Sequence, residues 1–131
     1  MSLKRVLICG ATGFIGRNMV EQLSRRKDLQ IIAVYNKRPS YETPYASNKV
    51  LWKRADLRNP SDVSEIMNDV DYVIQAAATT SGAKDIVSRP YIHVTDNAVM
   101  NSYLLREAFE KKIKHFIFFS CTVMYQTSED A

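Results

Sequence analysis

The chain has 131 residues, 46% of them hydrophobic and 24% charged, the balance of one globular domain large enough to bury a core. No run approaches the ~20 apolar residues that cross a bilayer, and strand-like residues follow Lys4 too soon for a secretory leader, so a cytoplasmic protein with no membrane partner is expected. Eighteen Lys and Arg against fourteen Asp and Glu give a net charge of +4, a mild basic bias that suits a small anionic ligand.

The cationic cluster Arg25-Arg26-Lys27 falls where the first helix is expected to end, and cations there complement the helix dipole. No aromatic side chain interleaves it to stack on bases, so no nucleic-acid partner is expected. Cys9 and Cys121 sit at the ends of two apolar runs, with no C-x-x-C pair or His/Cys cluster. Neither a metal nor a disulfide is expected, and a reduced compartment is.

Residues 5–9 form an apolar run, as in a strand at the centre of a parallel sheet covered on both faces. Gly10, Gly13 and Gly16 follow at spacings of three. Gly10 is expected to reverse the chain, Gly13 to let backbone approach a diphosphate, and Gly16 to let helix and strand pack closely. A helix is predicted over residues 14–26, with Ile15, Met19, Val20 and Leu23 at helical spacing. Its first turn presents unpaired N–H groups and a positive dipole end, which attract phosphate. Residues 30–35 predict a second strand, closing a β-α-β unit of about thirty residues, the size of a mononucleotide-binding unit.

Residues 39–49, rich in Pro, Ser, Tyr and Asn, predict a loop. A third strand over 50–55 leads into Asp56-Leu57, and Asn59-Pro60-Ser61-Asp62 starts a helix reaching about residue 68, with Val63, Ile66 and Met67 inward. Residues 71–78 predict a fourth strand, and 80–90 a polar loop at the sheet edge where open α/β sheets bind ligands. A long helix follows over 91–112, with Val94, Ala98, Leu105, Ala108 and Phe109 as its buried stripe. Lys111, Lys112 and Lys114 sit at its C-terminus, where the dipole suffices to explain them. A fifth strand over 115–120 precedes a polar tail, 126–131, expected to fray. This alternation defines the α/β class: a Rossmann-type doubly wound parallel sheet of five strands, helices on both faces, in one domain over 1–131.

Gly10-Ala11-Thr12-Gly13-Phe14-Ile15-Gly16 resembles the cofactor loop of the extended short-chain dehydrogenase/reductases, the NAD(P)-dependent nucleotide-sugar epimerases, dehydratases and reductases. The resemblance runs from Lys4 to about Gln126. It therefore covers only the N-terminal part of such an enzyme, before the sixth strand and the substrate-binding portion. It implies that Gly10, Thr12, Gly13, Phe14, Ile15 and Gly16 hold the dinucleotide. It also implies that Asp56-Leu57 lies beside the adenine and that Ala76-Ala77-Ala78-Thr79 passes under the nicotinamide ribose. Asn97 matches an asparagine that supports the active site through water. A carboxylate about twenty residues past the glycines would accept the ribose 2′-OH and favour NAD. Here Tyr35-Asn36-Lys37-Arg38 carries none; Lys37 and Arg38 suit a 2′-phosphate, and NADP is expected, with NAD the alternative.

Ser120-Cys121-Thr122-Val123-Met124-Tyr125 resembles the family's S-S-x-x-V-Y stretch, whose hydroxyl assists the tyrosine that moves a proton while hydride passes to or from nicotinamide. Cys121 takes the hydroxyl position with a weaker donor, and Thr122 is adjacent, so these two are the catalytic candidates. The stretch 76–90 and the helix bearing Asn97 look most like the GDP-fucose synthases, which use NADPH on a GDP-4-keto-6-deoxy sugar. Their proton-transferring cysteine corresponds to Val123 here. The family's Tyr-x-x-x-Lys acid/base pair would lie roughly twenty residues beyond Tyr125, past Ala131, and Tyr103 has Glu107 at its fourth place. The expectation is an NADP(H)-binding domain of a nucleotide-sugar epimerase/reductase. It would take its sugar substrate only in a complete chain, be inactive alone, and be able to form homo-oligomers through an unpaired last strand. A non-catalytic NADP-binding redox sensor or regulatory protein is the alternative.

Overall fold

A computed structural model describes residues 2–37, 50–80 and 82–120. The strands are Lys4–Cys9 (β1), Leu29–Tyr35 (β2), Val50–Arg54 (β3), Tyr72–Gln75 (β4) and His115–Phe118 (β5). The helices are Phe14–Ser24 (α1), Pro60–Ile66 (α2), Ala83–Ser88 (α3) and Pro90–Glu110 (α4). The strands form one parallel sheet in the order β3-β2-β1-β4-β5. The chain steps outward from β1 through β2 to β3, then crosses to the other side of β1. That reversal between β1 and β4 is the switch point at which doubly wound sheets open a crevice.

Strand alternation divides the core in two. Val6 and Ile8 of β1, Ile31 and Ala33 of β2 and Ile74 of β4 face Val20 of α1. Leu7 and Cys9, Ile32 and Val34, and Val73 face the other way, against Val63 and Ile66 of α2 and Met100, Leu104 and Ala108 of α4. Both faces of β1 are buried, and the strand is apolar throughout its buried length, as the sequence indicates. Asn59 caps α2 by accepting the Ser61 N–H at 2.9 Å. Lys111 locks α2 to α4: its ammonium meets Glu107 at 3.0 Å, Asn68 Oδ1 at 2.8 Å and the Ser64 carbonyl. Lys114 reaches Asp71 Oδ1 at 2.7 Å, while Arg5 N–H donates to Asp71 Oδ2 at 2.9 Å, tying the starts of β1, β4 and β5.

Several sequence expectations need correction. α1 ends at Ser24, so Arg25 and Arg26 lie past its last turn and pair with Glu21 at 3.0 Å and Asp28 at 2.8 Å. Ile15, expected inward, is exposed because the residue that turns inward is Gly16, pressed against the Gly10–Ala11 backbone. β4 and β5 stop at Gln75 and Phe118. The loop expected over 80–90 contains α3, a short helix with no buried residue. The stripe assigned to the long helix is out of phase: Val94, Leu105 and Phe109 are exposed, as is Ala98, and only Ala108 faces inward, joined by Met100 and Leu104. The loop at 39–49 and the tail lie outside the described residues.

Candidate functional site

The turn between β1 and α1 is built by contacts that admit no side chain. Gly10 has φ +70°, and a Cβ there would come within 2.7 Å of the Ala76 carbonyl oxygen and the Ala77 backbone. A Cβ on Gly16 would overlap the Gly10 carbonyl oxygen. The loop is fixed by Ala11 N–H donating to Val34 O at 2.9 Å and Gly13 N–H to Gly10 O at 3.0 Å. Gly13 is the N-cap of α1; no side chain caps the helix and no acid lies in its first turn. By helix geometry the first N–H groups lack intrahelical partners, so this end keeps its positive pole for an anion. A Cβ on Gly13 would approach only the Gly10 carbonyl, at 3.4 Å. The backbone there is open to a ligand.

The turn borders a cleft of about 410 Å³ at the C-terminal ends of β1, β2, β3 and β4. The cleft brings together Gly10, Thr12 and Gly13, then Asn36 and Lys37 after β2, Asp56 and Leu57 after β3, and Ala76, Ala77, Ala78 and Thr79 after β4. Phe14 and Ile15 stand outside it on the exposed first turn, and Gly16 lies buried beneath it. Asn97 is behind the cleft wall: its amide accepts Thr79 N–H at 2.7 Å and donates to Thr79 O at 3.1 Å. It grips that segment directly. Arg38, Cys121 and Thr122 lie outside the described residues, as do Val123 and Tyr125. So do Tyr45 and Lys49, which have the Tyr-x-x-x-Lys spacing but precede β3 rather than follow Tyr125.

Sequence reasoning missed four polar residues here. Gln75, buried at the end of β4, accepts Ala77 N–H at 3.1 Å and donates to Asn101 Oδ1 at 2.9 Å. The only sequence signal was an amide closing an otherwise apolar strand. Arg58 donates from Nε and Nη2 to the two Asp56 oxygens at 3.0 and 2.9 Å, and from Nη1 to Asp96 at 3.4 Å. The Asp-x-Arg spacing hinted at the first contact; nothing local hints at the second. Arg58 beside it holds the Asp56 carboxyl below the usual carboxylate range. Cys9 is buried, and burial pushes its thiol up to about 12, so it carries no thiolate at neutral pH. Among the described residues, no group of three His, Cys, Asp or Glu is placed to hold a metal ion, and no helix is long and apolar enough to cross a membrane.

A parallel sheet of order 3-2-1-4-5 with a glycine turn at its switch point defines a nucleotide-binding α/β architecture. The profile of the NAD dependent epimerase/dehydratase family matches residues 6–131, and the chain belongs to that family. It is similar to a dTDP-4-dehydro-6-deoxy-D-allose reductase of a Streptomyces species, 29% identical in an alignment that covers 95% of this chain and 40% of the relative. The fold matches that of UDP-N-acetylglucosamine 4-epimerase from Methanobrevibacter ruminantium, in complex with UDP-N-acetylmuramic acid. The TM-score is 0.80 at 23% identity, covering 99% of this chain and 42% of the other. It also matches Thermus thermophilus UDP-glucose 4-epimerase in complex with NAD, with TM-score 0.73 at 27% identity, covering 87% and 36%. The chain thus spans well under half the length of each.

Proposed function

We propose that residues 1–131 are the coenzyme-binding domain of an NADP(H)-dependent nucleotide-sugar epimerase/reductase in a reduced, cytoplasmic setting. The observation that carries this is the alignment, along one cleft, of an uncapped helix N-terminus, a cation after β2 and a carboxylate after β3. The first-turn amides at Phe14 and Ile15 take the diphosphate, which the bare backbone of Gly13 lets approach, with Thr12 at its edge. Lys37, with Arg38 next in sequence and Asn36 before it, takes the ribose 2′-phosphate, which a carboxylate there would repel. Asp56 and Leu57 receive the adenine. The small side chains of Ala76, Ala77 and Ala78 admit the second ribose, on a segment held in place by Asn97 and Gln75. When bound, the nicotinamide supplies or accepts the hydride exchanged with a sugar carbon.

Cys121 and Thr122 remain the candidates for assisting proton transfer. The 131 residues bind coenzyme without turning over sugar, because the family's acid/base pair belongs past Ala131. The nucleotide sugar is the substrate of the complete enzyme, in keeping with the sugar-nucleotide reductase and epimerases it resembles. The redox-sensor alternative gains nothing from Cys9, whose burial leaves it inert. Among the described residues β5 is an outer strand, which favours self-association of the domain.

Nicotinamide fluorescence titrated separately with NADPH and NADH tests the coenzyme assignment. The native chain binds NADPH more tightly. Lys37→Ala weakens NADPH by about tenfold and leaves NADH nearly unchanged, the cost of one charge-assisted contact. Gly13→Ala keeps the fold, since its methyl meets only one atom at 3.4 Å, and loses both coenzymes. Failure of the native chain to bind either one refutes the proposal.

A further inference from the structure

We propose that Arg58 is a positioning residue for the coenzyme, tying Asp56 after β3 to Asp96 on α4 and so fixing the separation of the two cleft walls. This rests on the coenzyme-binding role of the cleft proposed above. Asp56, Arg58, Thr79 and Asp96 all line that cleft. The guanidinium meets Asp56 as a fork, Nε to Oδ1 at 3.0 Å and Nη2 to Oδ2 at 2.9 Å, and the Arg58 N–H also donates to Oδ1 at 3.0 Å. Its remaining arm, Nη1, donates to Asp96 Oδ2 at 3.4 Å, and Thr79 Oγ1 donates to the same oxygen at 3.4 Å. The chain of contacts runs from the exit of β3 across to the exit of β4.

Sheet order makes that span informative. β3 and β4 are separated by β2 and β1, so no ladder of backbone hydrogen bonds sets the distance between the segments that leave them. A planar guanidinium can hold two carboxylates in a fixed relation, which a flexible point charge cannot. The side chains of Arg58, Asp56 and Asp96 remain 44%, 35% and 28% exposed. Exposed ion pairs add little to fold stability, so the consequence of the bridge falls on the cleft. The neighbouring charges are Lys37 after β2, in the cleft lining, and Asp62 of α2, which accepts the Asp56 N–H at 2.9 Å.

A purely electrostatic role and a positioning role predict opposite signs at Asp96. Removing that carboxylate lowers the negative charge facing a polyanionic ligand, so on charge alone Asp96→Ala should tighten binding. If Arg58 acts as a tie, Asp96→Ala loosens the wall and weakens binding. The test is fluorescence titration of the native 131-residue chain and of Arg58→Met, Arg58→Lys, Asp96→Ala and the Arg58→Met/Asp96→Ala double variant with NADPH and NADH, with thermal melts alongside. Arg58→Met is expected to weaken both coenzymes about tenfold, the scale of losing a charged hydrogen-bonded group, with Arg58→Lys recovering part of the loss. Asp96→Ala is expected to weaken both by about threefold, and the double variant to be no worse than Arg58→Met, because the two act through one contact. Melting temperatures stay close to native throughout. Native binding that Asp96→Ala leaves unchanged or tightens overturns this proposal alone. Native failure to bind either coenzyme removes the coenzyme assignment and this proposal with it.

Discussion

Gly13 and Gly16 lie three residues apart in one turn, yet a methyl group would meet opposite fates at the two positions. At Gly16 it would overlap the Gly10 carbonyl oxygen and come within 2.9 Å of the Ala11 Cα. Backbone cannot step aside as a flexible side chain can, so Gly16→Ala is expected to cost about 1–3 kcal/mol, the range for overpacking, seen as a lower urea midpoint. Gly13→Ala should stay within about 0.5 kcal/mol of native, as surface changes do. A second residue-scale effect concerns Asp71. The Lys114 ammonium and then the Arg5 N–H hold its carboxyl below the usual range. A depressed carboxylate stabilises the fold above the unfolded pKa of about 3.9 and loses that contribution as pH falls through the lower folded value. Asp71→Asn should therefore flatten the acid end of a plot of melting temperature against pH, below about pH 4; an unchanged acid limb would contradict it. The glycines were legible in the sequence because a backbone demand leaves a residue type behind. The Arg58–Asp96 contact was not, since its partners are 38 positions apart and neither residue is unusual where it stands.

The elements divide in the same way. β1 and β2 announced themselves as short apolar runs because both their faces are buried, and α2 because Val63, Ile66 and Met67 share one face. α4 was misread in phase, and its composition explains why: apolar residues lie on both of its sides. Val94, Leu105 and Phe109 face solvent, while the inward face mixes Met100, Leu104 and Ala108 with Asn97, Asn101 and Glu107. Those polar groups are satisfied by Thr79, Gln75 and Lys111, partners that periodicity does not see. The inward face of α4 is thus both core and scaffold for the segment after β4. Adjacent leucines separate the two phases: Leu104, fully buried, should cost about 2–5 kcal/mol as Leu104→Ala, whereas Leu105→Ala, at 53% exposure, should move stability by less than about 0.5 kcal/mol. A larger loss at Leu105 than at Leu104 in chemical denaturation would put the helix in the phase first expected from sequence. α3 went unread because it buries nothing and has no side-chain cap, so no pattern was imposed on it.

At the scale of the molecule, alternating strands and helices were enough to give a doubly wound sheet, whereas the strand order β3-β2-β1-β4-β5 depends on pairings that alternation does not encode. What the alternation does not reveal is how differently the two edges are defended. Among the described residues, β3 and β5 are the outer strands. β3 ends in Lys53 and Arg54, charges of the kind that blunt an edge against pairing with another chain. β5 instead presents Ile117 at 43% and Phe118 at 48% exposure, followed by Phe119 at 38%. Exposed apolar residues beside a row of unpaired backbone groups form a template for a second copy. Association should therefore run through β5 rather than β3, with average mass by light scattering rising with concentration in the native 131-residue chain. Ile117→Lys should suppress that rise while leaving the melting temperature near native, because the side chain is already half in water. A lysine at Leu51, also partly exposed but on the defended strand, should leave the rise intact. A native chain that stays monomeric at every concentration would contradict association through this edge.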